Sequence, residues 1–411
     1  MRLGVDTQAR MNPPTAAPLR PLQGTTVVTL EHAIAAPYAT RQLADLGARV
    51  IKIERPGSGD FARGYDDRVK GLSSHFVWTN RSKESLTLDL KHPEGAAILR
   101  RLVHEKADIV VQNLAPGAAA RLGLGWDRLS ADKPGLILCD ISGYGGDGPY
   151  RDKKAYDLLI QSEAGYLSVT GSAEAPAKSG NSIADIAAGM FAYSNILAAE
   201  LERRSSGRGR HIDVSMLESL VEWMGFPMYY AFDGAPPPPR AGASHATIYP
   251  YGPFAVGDGS SVMLGLQNER EWPAFCSVVL RQPALAQDPR FRGNAGRSAA
   301  RDALRAIIEA CFAELDAAQV TERLDAARIA NASVNTMADV WVHPQLRARR
   351  RWSEVDSPVG PLPALVPPGL AADGLPRMDP LPSLGQQTDA ILRELGLSDG
   401  DIGSLRAQDV V

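Results

Sequence analysis

The fold is decided by residues 25–54, TTVVTLEHAIAAPYATRQLADLGARVIKIE. TTVVTLE at 25–31 and ARVIKIE at 48–54 are short runs rich in β-branched residues, and they predict two strands. The segment PYATRQLADLG at 37–47 lies between them and predicts a helix that ends at Gly47. A strand, a connecting helix and a second strand form a βαβ unit, so the sequence predicts a parallel sheet.

The alternation of strand and helix continues along the chain. SLTLDL at 85–90 alternates apolar and polar residues as a half-buried strand does, and PEGAAILRRLVHEKA at 93–107 predicts a helix with proline near its start. ADIVVQNL at 107–114 and GLILCDISG at 135–143 predict further buried strands. Together these elements predict an α/β fold with a Rossmann-like large domain.

A run of prolines divides the second half of the chain. IAAGMFAYSNILAAELERR at 186–204 predicts a long helix, and HIDVSMLESLVEWMGFPMYYAF at 211–232 predicts a short strand that leads into another helix. The prolines of DGAPPPPRAGAS at 233–244 then mark a semi-rigid linker. The predicted segments are a flexible N-terminal arm at 1–20, the large Rossmann-like domain at 21–225, a Pro-rich linker at 226–245, a smaller α+β domain at 246–330, and a linker with a return to the large domain at 331–411.

Three later segments complete the predicted architecture. YGPFAVGDGSSVMLGLQ at 251–267 predicts a hairpin with a GDG turn inside the smaller domain. The proline-rich stretch SPVGPLPALVPPGL at 357–370 predicts extended coil. LGQQTDAILRELGLS at 384–398 predicts a helix that packs on the large domain.

Composition excludes several classes of partner. Lysine and arginine number 44 and the acidic residues number 47, so the formal net charge is −3 and no overall positive field favours nucleic acid. No apolar run reaches the roughly 18 residues of a membrane span, and the N-terminal stretch lacks the apolar core of a secretory signal. Three widely spaced cysteines form no metal-ligand pattern, so we expect no metal and a reducing, cytoplasmic location.

Four cations occur where predicted strands or loops leave the sheet. They are Arg55 at the end of IKIER, Lys91 at the end of LTLDLK, Arg121 after QNLAPG, and Lys154 in DKKAYD. Each one alone fits a solvated surface charge. Ligands of such sheets bind beyond the carboxyl ends of the strands, and a polyphosphate ligand needs convergent positive charge there. The four cations together therefore indicate an anionic ligand.

A single carboxylate, Asp185, interrupts the mostly small and apolar run NSIADIAAG at 181–189. An ionised carboxylate in apolar surroundings costs several kcal/mol unless it is paired or hydrogen-bonded. Asp185 is therefore either satisfied structurally or retained for chemistry, and its surroundings in the sequence leave both possibilities open. The same two possibilities apply to His32, which follows a predicted strand, and to His245, which opens HATIYPYGPF after the linker.

Several motifs, taken together, resemble those of the class III CoA-transferases, a family that also contains formyl-CoA transferase and α-methylacyl-CoA racemase. They are LADLGARVIKIERPGSGDFAR, NRSKESLTLDLKHPEG, QNLAPGAAARLGL, ISGYGGDGPY, AYDLLIQSEAG, GRGRHIDVSMLES and LGQQTD. The resemblance runs from Pro21 to about Gly396. It implies an interlocked, ring-like homodimer in which linkers join the large domain of each chain to a small domain.

The resemblance also implies a role for individual residues. Asp185 falls on the nucleophilic aspartate of the family, which forms an acyl-aspartyl anhydride and then an aspartyl-CoA thioester, and Tyr156 and Asp157 fall in its catalytic surroundings. The positions that match the CoA-binding residues are Ala33, Arg55, Leu88, Lys91, Asn113, Arg121 and Lys154. An acyl-CoA and a carboxylic acid are then the substrates, and no tightly bound cofactor is implied.

The racemase branch shares the fold and the nucleophilic aspartate. It places a histidine directly before the acid that matches Asp157, because exchange of the α-proton needs a second base. This chain has Tyr156 there, and a phenol with an ordinary pKa near 10 is a poor base at neutral pH, so a transferase is favoured. An inactive CoA-binding protein is the third alternative, and the presence of Asp185 argues against it.

Two departures from formyl-CoA transferase bear on the substrate. Ile34 stands where that enzyme has a glutamine, and GLQNEREW at 265–272 replaces its glycine-rich flap, so formate and oxalate are disfavoured. The segments resemble the branch that acts on mesaconyl-, succinyl-, malyl- or citramalyl-CoA, either between molecules or between two carboxylates of one molecule. The second carboxylate needs a cation, and the candidates are Arg63, His32, His245 and Arg270. Ile34 and Gln267 are also predicted to lie near the substrate.

Overall fold

The computed structural model describes residues 20–370 and 376–411, so the predicted N-terminal arm lies outside the described residues except for Arg20. The strands are β1 (Thr26–Leu30), β2 (Arg49–Glu54), β3 (Lys83–Thr87), β4 (Ile109–Gln112), β5 (Ile137–Ser142), β6 (His211–Ser215), β7 (Tyr251–Ala255), β8 (Ser261–Gly265), β9 (Ala330–Ser333), β10 (Trp352–Val355) and β11 (Leu362–Leu365). The helices are α1 (Ala35–Asp45), α2 (Ser74–Thr79), α3 (Pro93–Lys106), α4 (Ala118–Arg121), α5 (Trp126–Asp132), α6 (Asp157–Glu163), α7 (Tyr166–Val169), α8 (Ile183–Ser206), α9 (Met216–Trp223), α10 (Gly225–Tyr230), α11 (Glu271–Ala274), α12 (Gly293–Ala299), α13 (Arg301–Phe312), α14 (Ala317–Ala326), α15 (Met337–Trp341), α16 (Pro344–Ala348), α17 (Thr388–Glu394) and α18 (Asp399–Ala407).

The first six strands form one sheet in the order β3-β2-β1-β4-β5-β6. The pairings of β1 with β2 and β4, of β2 with β3, and of β4 with β5 are parallel, which confirms the predicted parallel sheet. Val28 lies opposite Ile51 on one side and Val110 on the other, and all three are fully buried. The strand order reverses between β1 and β4, and ligands of such sheets bind at that reversal, outside the carboxyl ends of the strands.

The end of the chain returns to this sheet. Helix α17 contacts β3, and its Ile391 and Leu392 are buried in the same apolar cluster as Leu86. The prediction of extended coil at 357–370 was wrong in part, because β10 and β11 pair as an antiparallel hairpin. Pro363 lies in β11 opposite Glu354, and a proline is tolerated there because a two-stranded hairpin consists of edge strands.

The smaller sheet has the order β7-β8-β9 with antiparallel pairing. The predicted hairpin with a GDG turn is confirmed, because β7 and β8 pair across a turn in which Gly259 has a φ of 85°. The core beside this sheet contains the fully buried aromatic side chains of Phe254, Phe275, Phe291 and Phe312. Aromatic side chains each bury a large apolar area, so these four contribute much of the stability of this core.

The chain divides into two compact units, with residues up to Asp152, Ala188–Val214 and Arg350–Val411 in the first and Lys153–Ala187 and Ser215–Arg349 in the second. The second unit is therefore larger than the predicted domain at 246–330. One reason is that α6 packs against α9, which joins two segments that precede the prolines. Part of the predicted linker is also helical, since α10 extends into it. The proline of the Gly-Phe-Pro start of α10 is tolerated because it lies in the first turn, where the missing N–H costs nothing. Among the helices of the described residues, none is long and apolar enough to cross a membrane.

Candidate active site

Asp185 lies in the first turn of α8 and is half-buried. The sequence predicted a helix from residue 186, whereas α8 begins at Ile183, so Asp185 is part of the helix. A carboxylate in the first turn is stabilised by the helix dipole by about 0.3–1 kcal/mol. The adjacent side chains of Ala184 and Ala187 are fully buried, so the turn that carries the carboxylate is fixed against the core by small residues.

The carboxylate of Asp157 caps this first turn. Its Oδ1 accepts hydrogen bonds from the backbone N–H of Ala184 at 2.8 Å and of Asp185 at 3.2 Å. The N–H groups of Ile183 and Ile186 donate to backbone carbonyls at 2.9 and 3.0 Å. The first N–H groups of α8 are therefore all engaged within the protein, so the helix start fixes the position of Asp185 and does not offer free donors to a reacting carbonyl.

Gln161 in turn holds Asp157. Its side chain is fully buried, its Nε2 donates to Oδ2 of Asp157 at 2.6 Å, and its Oε1 accepts the backbone N–H of Ser179 at 2.9 Å. Asp157 and Gln161 are four residues apart on α6, so they share one face of that helix. Sequence analysis overlooked Gln161, although its spacing from Asp157 in AYDLLIQSEAG was visible. The site therefore contains a chain of contacts from Gln161 through Asp157 to Asp185.

Four further predicted residues of the second unit are exposed: Lys154, Tyr156, Gln267 and Arg270. Tyr156 is 70% exposed and precedes α6, so its phenol is mostly in solvent in this chain. Neither Lys154 nor Arg270 forms a side-chain hydrogen bond or ion pair with another residue of the described part of the chain. These charges are available to an anionic ligand.

The imidazole of His245 is fixed in one orientation and one tautomer. Its Nδ1 accepts the backbone N–H groups of Thr247 at 3.2 Å and Ile248 at 3.0 Å. The ring stacks on Tyr251 with 5.3 Å between centroids and an angle of 7°. A ring nitrogen that accepts hydrogen bonds carries no proton, so Nε2 carries the N–H and His245 presents a donor.

At the strand reversal, Asn113 connects the loop after β1 to the loop after β4. Its Oδ1 accepts the backbone N–H of His32 at 2.8 Å and its Nδ2 donates to the carbonyl of His32 at 2.9 Å. Ala33 has a φ of 59°, in the left-handed region, and its N–H donates to Oδ1 of Asp60 at 3.2 Å. The predicted residues Ala33 and Asn113 thus shape the backbone where such folds bind ligands.

Asp60 connects this loop to a buried group of charges. Its Oδ2 accepts from Nζ of Lys52 at 2.7 Å, and Glu31 accepts from Lys83 at 2.6 Å. Burial would raise the pKa of Glu31, but Lys83 and Lys52 lower it to about 2. Sequence analysis assigned no role to these residues, because the pairs join positions from separate strands. Through Asp60, these buried ion pairs hold the loop of Ala33 in place.

The remaining predicted CoA-binding residues of the first unit follow strands β2, β3 and β4. Leu88 is buried and its N–H donates to the carbonyl of Glu54 at 2.9 Å. Arg55, Lys91 and Arg121 are exposed. Within residues 20–370 and 376–411, the side chains of these three cations form no hydrogen bond or ion pair. An exposed cation without a protein partner is well suited to bind a phosphate.

Three residues predicted near the substrate lie in the first unit and differ in their surroundings. Arg63 donates to both carboxylate oxygens of Glu54 at 2.8 Å and lies 3.8 Å from the ring centre of Phe76. Burial lowers the pKa of His32, so this imidazole is neutral at neutral pH. Ile34 is buried at the start of α1. None of the three supplies a free cation for a second carboxylate.

The predicted residues therefore form two clusters, one in each compact unit. The first contains Ala33 and Asn113 at the strand reversal, together with the nearby strand ends. The second contains Asp185 and Asp157, which accepts the backbone N–H of Asp185 and is itself held by Gln161. The first cluster has the features of a nucleotide-binding edge, and the second holds a half-buried carboxylate on a fixed helical turn.

Comparison with known proteins identifies the family. The model of "CoA-transferase family III" matches residues 22–388. Succinyl-CoA:glutarate CoA-transferase of Mus musculus is 33% identical over 96% of this chain and 91% of that protein. Acetyl-CoA:oxalate CoA-transferase of Acetobacter aceti is 34% identical over 81% of this chain and 86% of that protein. The crystal structure of a CaiB/BaiF family protein from Brucella suis superposes with a TM-score of 0.81 at 32% identity, over 92% of this chain and 100% of that chain.

Proposed function

The chain belongs to CoA-transferase family III, and from this premise we propose that it transfers CoA from succinyl-CoA or a similar dicarboxylyl-CoA to a dicarboxylic acid through Asp185. The observation that carries the proposal is the placement of Asp185 in a helical turn capped by Asp157. A nucleophile must be held in a fixed position to attack a bound thioester, and this turn provides that position.

The reaction proceeds in four balanced steps. An Asp185 oxygen attacks the thioester carbonyl, the C–S bond breaks, and an acyl-aspartyl anhydride and CoA thiolate form. The thiolate attacks the aspartyl carbonyl, which releases the first acid and leaves an aspartyl-CoA thioester. The acceptor carboxylate attacks the carbonyl of that thioester, the C–S bond breaks, and a second acyl-aspartyl anhydride and CoA thiolate form. The thiolate then attacks the acyl carbonyl of the acceptor, the anhydride C–O bond breaks, and the new acyl-CoA leaves with Asp185 regenerated as a carboxylate. No net proton is consumed, and water must be excluded because it would hydrolyse the anhydride.

Asp157 acts on the nucleophile through the backbone. Since it uses the N–H groups of Ala184 and Asp185, the oxyanion of each tetrahedral intermediate needs donors from elsewhere. In the glycine-rich loop at 143–148, the N–H groups of Gly145 and Gly146 are also engaged, with Ser142 and Asp213. We therefore assign α8 to the placement of the attacking oxygen and not to oxyanion stabilisation.

CoA is bound by the residues around the strand reversal. The exposed cations Arg55, Lys91 and Arg121 of the first unit contact its phosphates or adenine, and the loops of Ala33 and Asn113 contact the pantetheine arm. Lys154 of the second unit is proposed as a further CoA contact from the family resemblance. Leu88 supplies a packing contact. Three observations support this assignment. The cations are exposed, the side chains of Arg55, Lys91 and Arg121 have no partner among the described residues, and the loops of these three follow strands of the sheet. CoA enters and leaves as a substrate, and the predicted absence of a bound metal and the predicted cytoplasmic location stay predictions.

For the substrate class, we infer a dicarboxylyl-CoA donor and an acceptor with two carboxylates. The mouse relative is named for succinyl-CoA and glutarate, which supports this choice. Arg270 and His245 are the best candidates to contact the second carboxylate, since Arg270 is exposed and His245 presents an Nε2–H donor, whereas Arg63 is paired with Glu54. Transfer between the two carboxylates of one molecule, as in a mesaconyl-CoA, is included in the proposal.

The Acetobacter relative is named for acetyl-CoA and oxalate, and it defines the competing substrate pair. A panel that pairs succinyl-CoA, mesaconyl-CoA or acetyl-CoA with glutarate, succinate, mesaconate, citramalate or oxalate, read by mass spectrometry, decides between them. Activity with acetyl-CoA and oxalate alone would reject the inferred class. Unchanged KM for the diacid in the alanine variants of His32, Arg63, His245 and Arg270 would reject these contacts.

The mechanism is tested by trapping the enzyme intermediate. After incubation with succinyl-CoA, hydroxylamine should modify Asp185 and no other carboxylate, as located by peptide mass spectrometry. The Asp185→Asn variant, which keeps the size of the side chain, should neither turn over nor be modified. Full turnover by that variant would refute the mechanism. Rapid exchange of the α-proton of a branched acyl-CoA in deuterated water, without CoA transfer, would identify a racemase instead.

We also propose that two copies form the interlocked, ring-like homodimer that the family resemblance implies, with the large and small domains joined by the linkers. The support is an exposed aromatic and apolar surface around α9 and α10, which comprises Trp223, Phe226, Met228, Tyr229 and Phe232. Tyr229 is 82% and Phe232 is 73% exposed, and contiguous surfaces of this kind mark contacts with another protein. Light scattering should give the mass of a dimer, and a monomeric active enzyme would contradict the proposal.

A further inference from the structure

We propose that Gln161 is a positioning residue for the transfer reaction, because it sets the orientation of Asp157 and thereby the helical turn that carries Asp185. The inference rests on the proposed function, in which Asp185 is the nucleophile. Gln161 is fully buried on α6 and contacts Asp157 and Ser179. It positions Asp157 through these contacts, without touching the substrate.

The surroundings of Gln161 allow only one orientation of its amide. The backbone N–H of Ser179 is a donor, so the group that faces it at 2.9 Å must be the amide oxygen. The amide nitrogen then faces Oδ2 of Asp157 at 2.6 Å and donates to it. A flipped amide would place donor against donor and acceptor against acceptor at the same time. Ser179 therefore determines which end of Gln161 meets Asp157.

The second oxygen of Asp157 is thereby directed at α8. With Oδ2 held by Gln161, Oδ1 lies where the N–H groups of Ala184 and Asp185 reach it. The same amide also anchors Ser179, which lies in the segment that leads into α8. Gln161 thus fixes both the cap of the helix and the chain that enters it. Loss of either contact would displace the Asp185 oxygen relative to a bound thioester.

The test uses two substitutions that keep the size of the side chain. Gln161→Leu removes both hydrogen bonds and should lower kcat about 10- to 100-fold at every pH, with less than about a twofold change in KM for the acyl-CoA. Gln161→Glu keeps an acceptor for Ser179 but places a second carboxylate against Asp157. Two carboxylates at that distance share one proton, so the turnover of this variant should fall as the pH rises and that proton is lost.

A matched control exists in the first unit. Gln112 donates to Oδ1 of Asp140 at 2.9 Å and accepts the N–H of Leu114 at 2.7 Å, which is a similar amide–carboxylate pair, although the other oxygen of Asp140 is paired with Nε2 of His211 at 2.8 Å. Gln112→Glu also places a carboxylate against an aspartate, and it should lower thermal stability without adding an ionisation to the kcat profile, because the second oxygen of Asp140 contacts His211 and not the first turn of α8. The same new ionisation in both variants would show a general effect of a carboxylate pair and would overturn the proposal.

Failure of this inference is distinguishable from failure of the proposed function. If the wild-type enzyme yields no Asp185 adduct with hydroxylamine, the mechanism itself is wrong. If the wild type yields the adduct while Gln161→Leu keeps full kcat, or Gln161→Glu has the wild-type pH profile, only the positioning role is refuted. Should Gln161→Glu fail to fold, the kcat and adduct yield of Gln161→Leu decide the question alone.

Discussion

Replacing Asp157 by asparagine should loosen the turn that carries Asp185 while leaving the rest of α8 intact. Asparagine keeps one oxygen, which can still accept the N–H groups of Ala184 and Asp185 now bonded at 2.8 and 3.2 Å. Its other end becomes an NH2 group opposite Nε2 of Gln161, at a position where the carboxylate oxygen now accepts at 2.6 Å. Two donors then face each other in a buried place.

The cost can be worked out from these contacts. Loss of the negative charge at a helix N-terminus costs about 0.3–1 kcal/mol. An unsatisfied buried donor costs about 1–3 kcal/mol. One such donor remains in either case: if Gln161 stays in place its Nε2 faces the new NH2 group, and if its amide flips the N–H of Ser179 loses its acceptor. The sum is about 1–4 kcal/mol, and it falls on the first turn of α8 because the later turns keep their own hydrogen bonds.

Three measurements check this prediction. Thermal or urea unfolding should show the loss of stability, and hydrogen exchange should accelerate in a peptide that covers residues 180–190 more than in the later part of α8. The kcat for CoA transfer should fall about tenfold or more, because the attacking oxygen is misplaced. A variant with wild-type stability, wild-type exchange at 180–190 and wild-type kcat would refute the assignment of Asp157 as the cap of the catalytic turn.

Three further predictions follow from other parts of the structure. Burial would raise the pKa values of Glu31 and Glu54, but their cationic partners lower both to about 2 from an ordinary 4.5. The resulting stabilisation is present above pH 4.5 and is lost as the pH falls toward 2, so the urea midpoint of unfolding should drop across that range. An unchanged midpoint at about pH 3 would contradict this prediction. Alanine at Lys91 or Arg121 should raise KM for the acyl-CoA about 5- to 50-fold and reduce its dependence on salt, with kcat nearly unchanged; an unaltered KM in both variants would remove them from the CoA site. Glycine at Ala33, where φ is 59°, should be neutral or stabilise the enzyme by up to about 1 kcal/mol in thermal unfolding, whereas a clear loss of stability would show that the alanine methyl packs usefully.

The sequence predicted the parts of the molecule that depend on local pattern. The βαβ unit at 25–54, the parallel sheet and the hairpin across Gly259 all follow from apolar periodicity and turn residues, and the structure confirms them. The start of α8 was placed three residues too late. Helix ends fray, so a local pattern fixes them poorly, and the group that caps this start is a carboxylate from another helix, which no local window contains.

Side-chain partners explain the rest of what the sequence could not show. Arg63 and Arg55 are both arginines near the end of β2, and nothing in their flanking residues separates a ligand-binding cation from a structural one. The structure separates them, because Arg63 is paired with Glu54, whereas Arg55 is exposed and forms no ion pair within the described residues. The partner of an arginine depends on long-range packing, so residue type alone predicts the charge but not its use.

This difference in partners agrees with the chemistry proposed for the two clusters. A cation that binds a phosphate of CoA gains most when the protein leaves it unpaired, since the incoming anion then supplies the missing partner. A nucleophile has the opposite requirement, because motion of its backbone moves the attacking oxygen away from the carbonyl carbon and slows the reaction. Arg55 and Lys91 are accordingly exposed and unpaired in the described part of the chain, while the groups behind Asp185, namely Asp157 and Gln161, have each of their hydrogen-bonding atoms engaged. A transferase that must bind a large anion reversibly and attack one carbonyl carbon accurately needs both conditions in the same molecule.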